Sequence, residues 1–156
     1  INDIQEFFTQ RLIIFLSDEY KKDSLEACSS GNPLADLSDY VARVKVVNSM
    51  NAPELLESAN RTIRILKEPV HAEIKHDLFK HDSEGMLVDA INKISDTTDY
   101  DKYLQELNAL VPAITAFFDN VLVMDSDENV KNNRLSMLTR LKEKFEKLID
   151  FSKIQQ

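Results

Sequence analysis

Glycine and proline are scarce in this chain of 156 residues, which contains only 2 glycines and 4 prolines. A fold of many short strands needs a turn between successive strands, and these two residues are frequent turn formers. No stretch of alternating apolar and polar residues predicts a strand either. The shortage therefore argues against a β-sandwich or barrel and favours long helices joined by few loops.

Cysteine is nearly absent as well. The single Cys28 excludes a disulfide framework and a cysteine zinc site, and we expect it to be a small buried residue in a reducing compartment. No apolar run reaches the length of a membrane span, and the acidic N-terminal residues lack the basic start of a signal peptide. We therefore expect a cytoplasmic protein without a membrane partner. Because the sequence has no initiator methionine, we also expect a fragment of a longer chain.

Motifs of catalysis and metal binding are lacking too. Neither glycine belongs to a phosphate-binding loop, and no catalytic motif surrounds Cys28. His71, His76 and His81 recur every five residues, so on a helix they would point about 140° apart and would not converge on a metal. The acidic runs at 96–101 and 125–128 lie at predicted helix starts, where capping explains them. We expect no catalytic site, no metal and no cofactor in this chain.

The hydrophobic periodicity predicts an all-α bundle of six to eight helices in one domain that spans residues 1–156. Hydrophobic residues make up 43% of the chain, which is enough for a core. Capping residues and prolines place the helices at about 3–27, 33–49, 53–67, 86–94, 100–110, 113–123 and 128–150. Between residues 71 and 85 the pattern weakens, and there we expect a weakly ordered connection with a helical turn in it.

The formal net charge of −8 argues at first against a nucleic-acid partner. The charges are unevenly distributed, however. Residues 1–40 contain 3 Lys/Arg and 8 Asp/Glu, and residues 71–130 contain 4 and 13. Residues 41–70 contain 5 and 3, and residues 131–156 contain 7 and 3. Two basic blocks thus lie in an acidic chain, which suits a protein that binds one stretch of RNA and equally suits an ordinary bundle with uneven charges.

The basic residues of the third predicted helix share one face, because Arg61, Arg64 and Lys67 recur every three residues. In the last predicted helix we expect the apolar positions from Leu135 to Ile149 to be buried and the basic residues to point outward. Arginine and lysine bind phosphates, and asparagine offers a donor and an acceptor to an unpaired base. A solvated helix face explains the same pattern, so these residues alone leave both interpretations open.

The segment from residue 112 to residue 135 resembles a known family. Pro112 is followed by Phe-Phe-Asp at 117–119, two valines, an acidic turn and Asn-Arg-Leu at 133–135. This arrangement resembles the C-terminal region of bacterial glycyl-tRNA synthetase β subunits. The Phe-Phe-x-x-Arg-Leu segment at 7–12 and the ending at 150–154 are also similar to that family, so the resemblance covers nearly the whole chain.

The resemblance implies a helical anticodon-binding domain of the DALR type, which is also found in arginyl-tRNA synthetases. It implies a parent enzyme that joins glycine to its tRNA with ATP and Mg²⁺, at a site on a separate α subunit. The expected partners are the anticodon stem-loop of glycine tRNA, the rest of the β subunit and the α subunit. Glycine anticodons share two cytosines, which the domain is expected to help read.

Ten residues of the basic blocks are therefore predicted to bind tRNA. They are Arg43, Lys45, Asn60, Arg61, Arg64, Lys67, Lys131, Asn133, Arg134 and Arg140. The Ala-Leu-Arg triplet of the family signature here reads Asn-Val-Lys at 129–131, which keeps the positive charge but loses a planar guanidinium. Arg61 and Arg134 match family positions, although Arg134 could instead be structural and pair with an acid such as Asp119.

Two further functions stay open at this point. One is an acidic helical module that docks a protein partner, which a contiguous exposed apolar patch would favour. The other is the equivalent domain of an arginyl-tRNA synthetase, against which the Phe-Phe-Asp segment argues. Clustering of Arg43, Arg61, Arg64 and Arg134 on one surface would favour RNA.

Overall fold

The computed structural model describes residues 2–154, and within them it contains eight α-helices and no strand. The helices are α1 (Asn2–Leu16), α2 (Lys22–Ala27), α3 (Leu37–Asn48), α4 (Pro53–Ile65), α5 (Asp82–Asn92), α6 (Tyr100–Ala109), α7 (Val111–Asn120) and α8 (Glu128–Glu146). Short 3₁₀ turns lie at His76–Leu78 and Phe151–Lys153. The predicted all-α bundle of six to eight helices is confirmed. No helix in the described part of the chain is long and apolar enough to cross a membrane.

Several helix starts are those that the capping residues predicted. Pro53 is the first residue of α4, where its missing N–H costs nothing. The Asp99 carboxylate accepts the N–H of Lys102 at 3.2 Å at the start of α6. The Asp127 carboxylate accepts the N–H of Asn129 at 2.9 Å at the start of α8. Both acidic runs therefore contain a helix cap, as predicted.

The first predicted helix, 3–27, is in fact divided into α1 and α2. The Ser17 hydroxyl donates to the Ile14 carbonyl at 2.6 Å, and the Lys21 N–H donates to Asn48 Oδ1 at 2.8 Å. The break contains neither glycine nor proline. It depends instead on a hydrogen bond to a residue 27 positions further along the chain.

The predicted helix start at Pro33 was also wrong. Asn32 Oδ1 accepts the N–H of Leu34 at 3.2 Å, so this side chain stabilises a turn rather than a helix. The helix begins only at α3, where the Asp36 carboxylate accepts the N–H of Asp39 at 3.0 Å. A better cap three residues later thus replaces the proline as the starting signal.

Helix α8 runs through the core, and α4 and α5 both pack against it, while α7 covers α4 and α5. Buried tyrosines satisfy their hydroxyl groups on backbone carbonyls: Tyr103 donates to Lys144 at 2.6 Å and Tyr40 donates to Leu25 at 2.8 Å. Cys28 is fully buried, as predicted. Burial raises the pKa of its thiol to about 12.

The connection between α4 and α5 lies along α8. It contains the predicted helical turn, at His76–Leu78, and α5 begins at Asp82, four residues earlier than predicted. Side chains of α8 hydrogen-bond the backbone of this segment at three positions. The pairs are Val70 N–H to Thr139 Oγ1 (2.9 Å), Ala72 N–H to Ser136 Oγ (3.2 Å) and Lys75 N–H to Asn133 Oδ1 (2.7 Å).

Candidate functional site

Helix α4 presents an exposed face on which Arg61 and Arg64 are neighbours, because residues three apart on a helix lie about 5–6 Å from each other at Cβ. Two concave surfaces adjoin this face. The α4–α7 cleft has a volume of about 680 Å³ and is lined by residues of α4, α6 and α7. The α4–α8 groove has a volume of about 590 Å³ and is lined by the C-terminal end of α4, the residues that follow it, Met124 and the first turns of α8.

The α4–α8 groove is basic. Arg64, Lys67 and Lys131 line it together with a single acid, Glu68. Lys67 follows the end of α4 rather than lying on the helix, yet it reaches the same groove. Apolar lining comes from Ile65, Val70, Met124 and Leu135, and Asn132 adds an amide. The groove therefore offers cations for phosphates, an amide for a base edge and an apolar surface for the flat face of a base.

The α4–α7 cleft has the opposite charge. Its lining includes Glu54, Glu57 and Asp119, with Asn108 and Thr115 as neutral polar groups. Arg61 is the one basic residue of the lining, and its guanidinium carbon lies 4.5 Å from the centroid of the Phe118 ring. A guanidinium that covers an aromatic ring on one side can stack a nucleobase on the other. The carboxylates beside it can accept hydrogen bonds from an exocyclic amino group.

Arg134 is buried and does not belong to either surface. Its side chain is 1% exposed, and its Nε donates to Glu84 Oε1 at 2.9 Å. Its Nη1 donates to the Leu122 carbonyl at 2.7 Å and to Asp125 Oδ2 at 3.1 Å. Arg134 therefore ties α8 to the start of α5 and to the loop between α7 and α8. Of the two interpretations that the sequence left open, the structure supports the ion pair, with Glu84 and Asp125 as partners rather than Asp119.

The carboxyl groups around Arg134 are held in their charged form. Burial raises the pKa of Glu84, but hydrogen bonds from Arg134 and from the N–H groups of Lys80 and His81 outweigh it, so the pKa is lowered from 4.5. The pKa of Asp125 is lowered by the N–H of Asp127 and by nearby cations, against a smaller effect of burial. Glu84 thus meets Arg134 as a carboxylate.

Asn133 is 2% exposed, and its side-chain amide pairs with the backbone of Lys75. Its Oδ1 accepts the N–H of Lys75 at 2.7 Å and its Nδ2 donates to the Lys75 carbonyl at 3.0 Å. The expectation that the basic residues of the last helix point outward is therefore wrong for Arg134, and an RNA contact would require Asn133 and Arg134 to leave their buried partners. The predicted contacts with RNA stay predictions.

Four other predicted residues lie away from both surfaces. Arg43 is half-buried, and its guanidinium donates to the Asp39 carboxylate and to the Cys28 carbonyl, each at 3.0 Å. Lys45 is exposed on α3 and Asn60 is half-buried on α4, and neither lines the cleft or the groove. Arg140 is exposed on α8, nine residues after Lys131, so it points about 180° away from it. The structure thus brings together Arg61, Arg64, Lys67 and Lys131. Of the four arginines whose clustering would favour RNA, only Arg61 and Arg64 share a surface.

Residues 42–155 match the DALR anticodon binding domain, which covers α4 and both of its concave surfaces. The chain belongs to this family. The expected anticodon-binding fold of the DALR type is therefore confirmed.

Relatives named glycine–tRNA ligase beta subunit are about 30% identical to the chain over the aligned region, which confirms the resemblance found in the sequence. The protein of Geobacter metallireducens is 32% identical over 97% of the chain, and that of Geobacter sp. (strain M21) is 31% identical over 97%. The protein of Pseudoalteromonas atlantica is 31% identical over 99% of the chain. The chain spans about a quarter of these relatives, 24% of the length of each.

Proposed function

We propose that this DALR domain binds the anticodon stem-loop of glycine tRNA as part of a glycine–tRNA ligase β subunit. The observation that carries the proposal is the α4–α8 groove, which gathers Arg64, Lys67 and Lys131 on the surface of a chain with net charge −8. Clustered cations in a groove raise the local concentration of anions, even on a chain whose net charge is negative. The family match and the names of the relatives support tRNA as that anion.

In this proposal the groove binds the phosphate backbone. Arg64 and Lys67 lie on one rim and Lys131 on the other, so a strand that enters the groove is neutralised from both sides. Lys131 also forms an ion pair with Glu128, with 2.8 Å between Nζ and Oε1. Because surface ion pairs contribute little free energy, an incoming phosphate can replace Glu128 as the partner of Lys131. Two to three phosphate contacts give a slope of about −2 in log K against log salt.

The α4–α7 cleft then receives an unpaired base. Arg61 stacks on Phe118 and offers its free face to the base, while Glu57 or Asp119 accepts a hydrogen bond from an exocyclic amino group. A carboxylate favours cytosine over uracil, because cytosine carries an amino donor where uracil carries an acceptor. This chemistry suits an anticodon with two cytosines. Together with the names of the relatives, it supports glycine tRNA as the ligand over the alternative of an arginyl-tRNA synthetase domain.

The proposed setting is the cytoplasm, in a complex with the α subunit and the rest of the β subunit. Joining glycine to tRNA with ATP and Mg²⁺ takes place on the α subunit in this proposal. The contribution of the chain is to bind and position the tRNA.

A titration with two anticodon stem-loops tests the proposal. One stem-loop carries a glycine anticodon, and in the other both cytosines are replaced by uracil. We expect the first to bind about ten- to a hundredfold more tightly, which corresponds to roughly 1–3 kcal/mol, and both to bind more weakly as salt rises. Equal affinities that do not respond to salt would contradict the proposal.

Substitutions distinguish the contribution of the α4–α8 groove to stem-loop binding from that of the α4–α7 cleft. Arg64→Ala and Lys131→Ala should each weaken both stem-loops equally and reduce the salt slope by about 1. Asp119→Asn and Glu57→Gln should instead reduce the preference for cytosine. Lys93→Ala is the matched control, because it removes an exposed cation that lines neither the groove nor the cleft.

A further inference from the structure

Helix α1 has a continuous apolar stripe on its solvent side. Its members are spaced by three, four or seven residues, which places them within an arc of about 120° on one side of the helix. They are Ile4 (65% exposed), Phe7 (59%), Phe8 (52%), Ile14 (65%) and Phe15 (79%). These five residues, the α1 stripe, are half of the exposed large hydrophobic residues in the described part of the chain, although α1 has only 15 residues.

The contacts of α1 within the bundle use its other side. Ile13 is buried, Leu12 and Leu16 pack against the core, and the main neighbour of α1 is α2. The α1 stripe is therefore additional to what the fold needs. Three phenylalanines and two isoleucines exposed to this extent present on the order of 500 Å² of apolar surface, near the upper limit for a monomer. With an equal area on a partner, the contact buries on the order of 1,000 Å², enough for a specific interface.

Arg11 lies in the middle of the α1 stripe. It is three or four residues from Phe7, Phe8, Ile14 and Phe15, so it neighbours all of them on the helix surface. Arg11 is exposed, and no ion pair within residues 2–154 involves it. Covering an unpaired guanidinium is costly. An apolar surface with a carboxylate opposite Arg11 would match both features of the stripe.

The extents of the family match and of the alignments with the relatives indicate where such a surface lies. The DALR family match begins at residue 42, so α1 is outside it. The glycine–tRNA ligase β subunits, in contrast, align with 97% to 99% of the chain, so most of α1 lies inside the alignment, and 76% of their length lies outside it. We propose that the α1 stripe docks on that remaining part of a glycine–tRNA ligase β subunit, at an apolar surface with a carboxylate for Arg11. This proposal rests on the proposed function for the identity of the partner.

Two other occupants fit the stripe less well. A two-fold pairing of two α1 helices would bring both Arg11 side chains to within about 5 Å along the axis of an apolar contact, without a carboxylate between them. An anionic membrane attracts basic helices, whereas α1 and the turn after it contain Asp3, Glu6, Asp18 and Glu19. The labelling experiment below distinguishes both of these occupants from the proposed one.

Cysteine labelling at residue 15 tests the docking. Phe15→Cys is made in the 156-residue chain and in a full-length β subunit in which this chain is the matching quarter. The rate of maleimide modification at position 15 is then measured by mass spectrometry. We expect modification to be at least tenfold slower in the full-length protein, and equal rates would overturn the proposal.

The control is Met86→Cys on α5, an exposed position outside the stripe that should react equally fast in both proteins. Cys28 is buried and gives no background in the folded chain. If Phe15→Cys lowers the helical circular dichroism of the chain, Ile14→Cys takes its place. Protection of the 156-residue chain that rises with its concentration, with a dimer in sedimentation, would assign the stripe to a second copy. Protection only by phosphatidylserine-containing vesicles would assign it to a membrane. Either result overturns the proposal.

Arg11 supplies a second test. In the full-length protein Arg11→Glu should restore labelling at position 15 to within about twofold of the free chain, while Arg11→Lys should keep most of the protection. Equal labelling of these two variants would contradict the role of a carboxylate. Stem-loop binding is measured on the same proteins. Loss of protection with intact stem-loop binding disproves the docking alone, and protection without stem-loop binding disproves the proposed function alone.

Discussion

Replacing Arg134 by methionine should strongly destabilise the fold. The guanidinium is buried and donates to three acceptors: the Glu84 carboxylate, the Asp125 carboxylate and the Leu122 carbonyl. Methionine fills much of the space but donates to none of them. Glu84, which is 0% exposed, would then remain as a buried carboxylate with only the N–H groups of Lys80 and His81 as partners.

The expected loss can be worked out from this geometry. Removing one partner of a buried ion pair costs about 3–5 kcal/mol. Because the two backbone N–H groups stay with Glu84, we expect the lower end, about 3 kcal/mol. That is a large fraction of a typical total stability of about 5–15 kcal/mol and corresponds to roughly 6–12 °C in Tm for a chain of this size. The double variant Arg134→Met/Glu84→Leu should lose less free energy of unfolding than the sum of the two single variants, by about 2 kcal/mol.

The pH dependence has a definite sign. The pKa of Glu84 is lower in the folded state than its ordinary value of 4.5, so its ionisation stabilises the fold above about pH 4.5. That contribution is lost as the pH falls through the folded-state pKa. The free energy of unfolding should therefore decrease below about pH 4.5, and it should decrease less steeply in Glu84→Gln than in the unsubstituted chain.

Urea unfolding followed by circular dichroism measures these free energies. The matched control is Arg140→Met, which replaces an exposed arginine of the same helix and should change the stability by less than about 0.5 kcal/mol. A loss below about 1 kcal/mol for Arg134→Met, or equal slopes below pH 4.5 for the unsubstituted chain and Glu84→Gln, would refute the structural role assigned to Arg134.

Three further predictions concern single buried groups and the salt response. Asn133→Ala should cost about 1–3 kcal/mol in urea unfolding, because it leaves the backbone N–H and carbonyl of Lys75 without their partner; a loss like that of Arg140→Met would contradict this. Cys28 should react with a thiol reagent at pH 8 at least about a hundredfold more slowly in the folded chain than in urea, since it is buried and burial raises its pKa to about 12; similar rates in the two conditions would disprove it. The salt slope of stem-loop binding should flatten below about 20 mM salt, where screening lengths reach the acidic surfaces; a straight line through that range would show that those surfaces do not matter.

The helices that the sequence predicted well are those whose ends are encoded locally. Pro53, Asp99 and Asp127 each act within one turn of their own helix, so their effect is visible in the sequence. The break between α1 and α2 was missed because it depends on the hydrogen bond from the Lys21 N–H to Asn48. Such a contact exists only after α3 has packed against α2, and no local pattern announces it.

The buried position of Arg134 was, in contrast, present in the sequence. Arg134 precedes Met137, Leu138 and Leu141 by three, four and seven residues, so it lies on the same face of α8 as those buried side chains. Its charge favours an exposed side chain, whereas its register on α8 favours a buried one. The contribution of Met124 to the groove had no such signal, because a loop residue has no periodicity.

Net charge is a poor guide to the partner of this chain because charges act locally. At physiological salt the screening length is about 8 Å, which is shorter than a helix of the length of α4. A phosphate in the α4–α8 groove therefore responds chiefly to Arg64, Lys67 and Lys131 and to the nearby acids Glu68 and Glu128. Two adjoining surfaces of opposite charge can then orient an RNA strand, with its backbone at the cations and an amino-bearing base at the carboxylates.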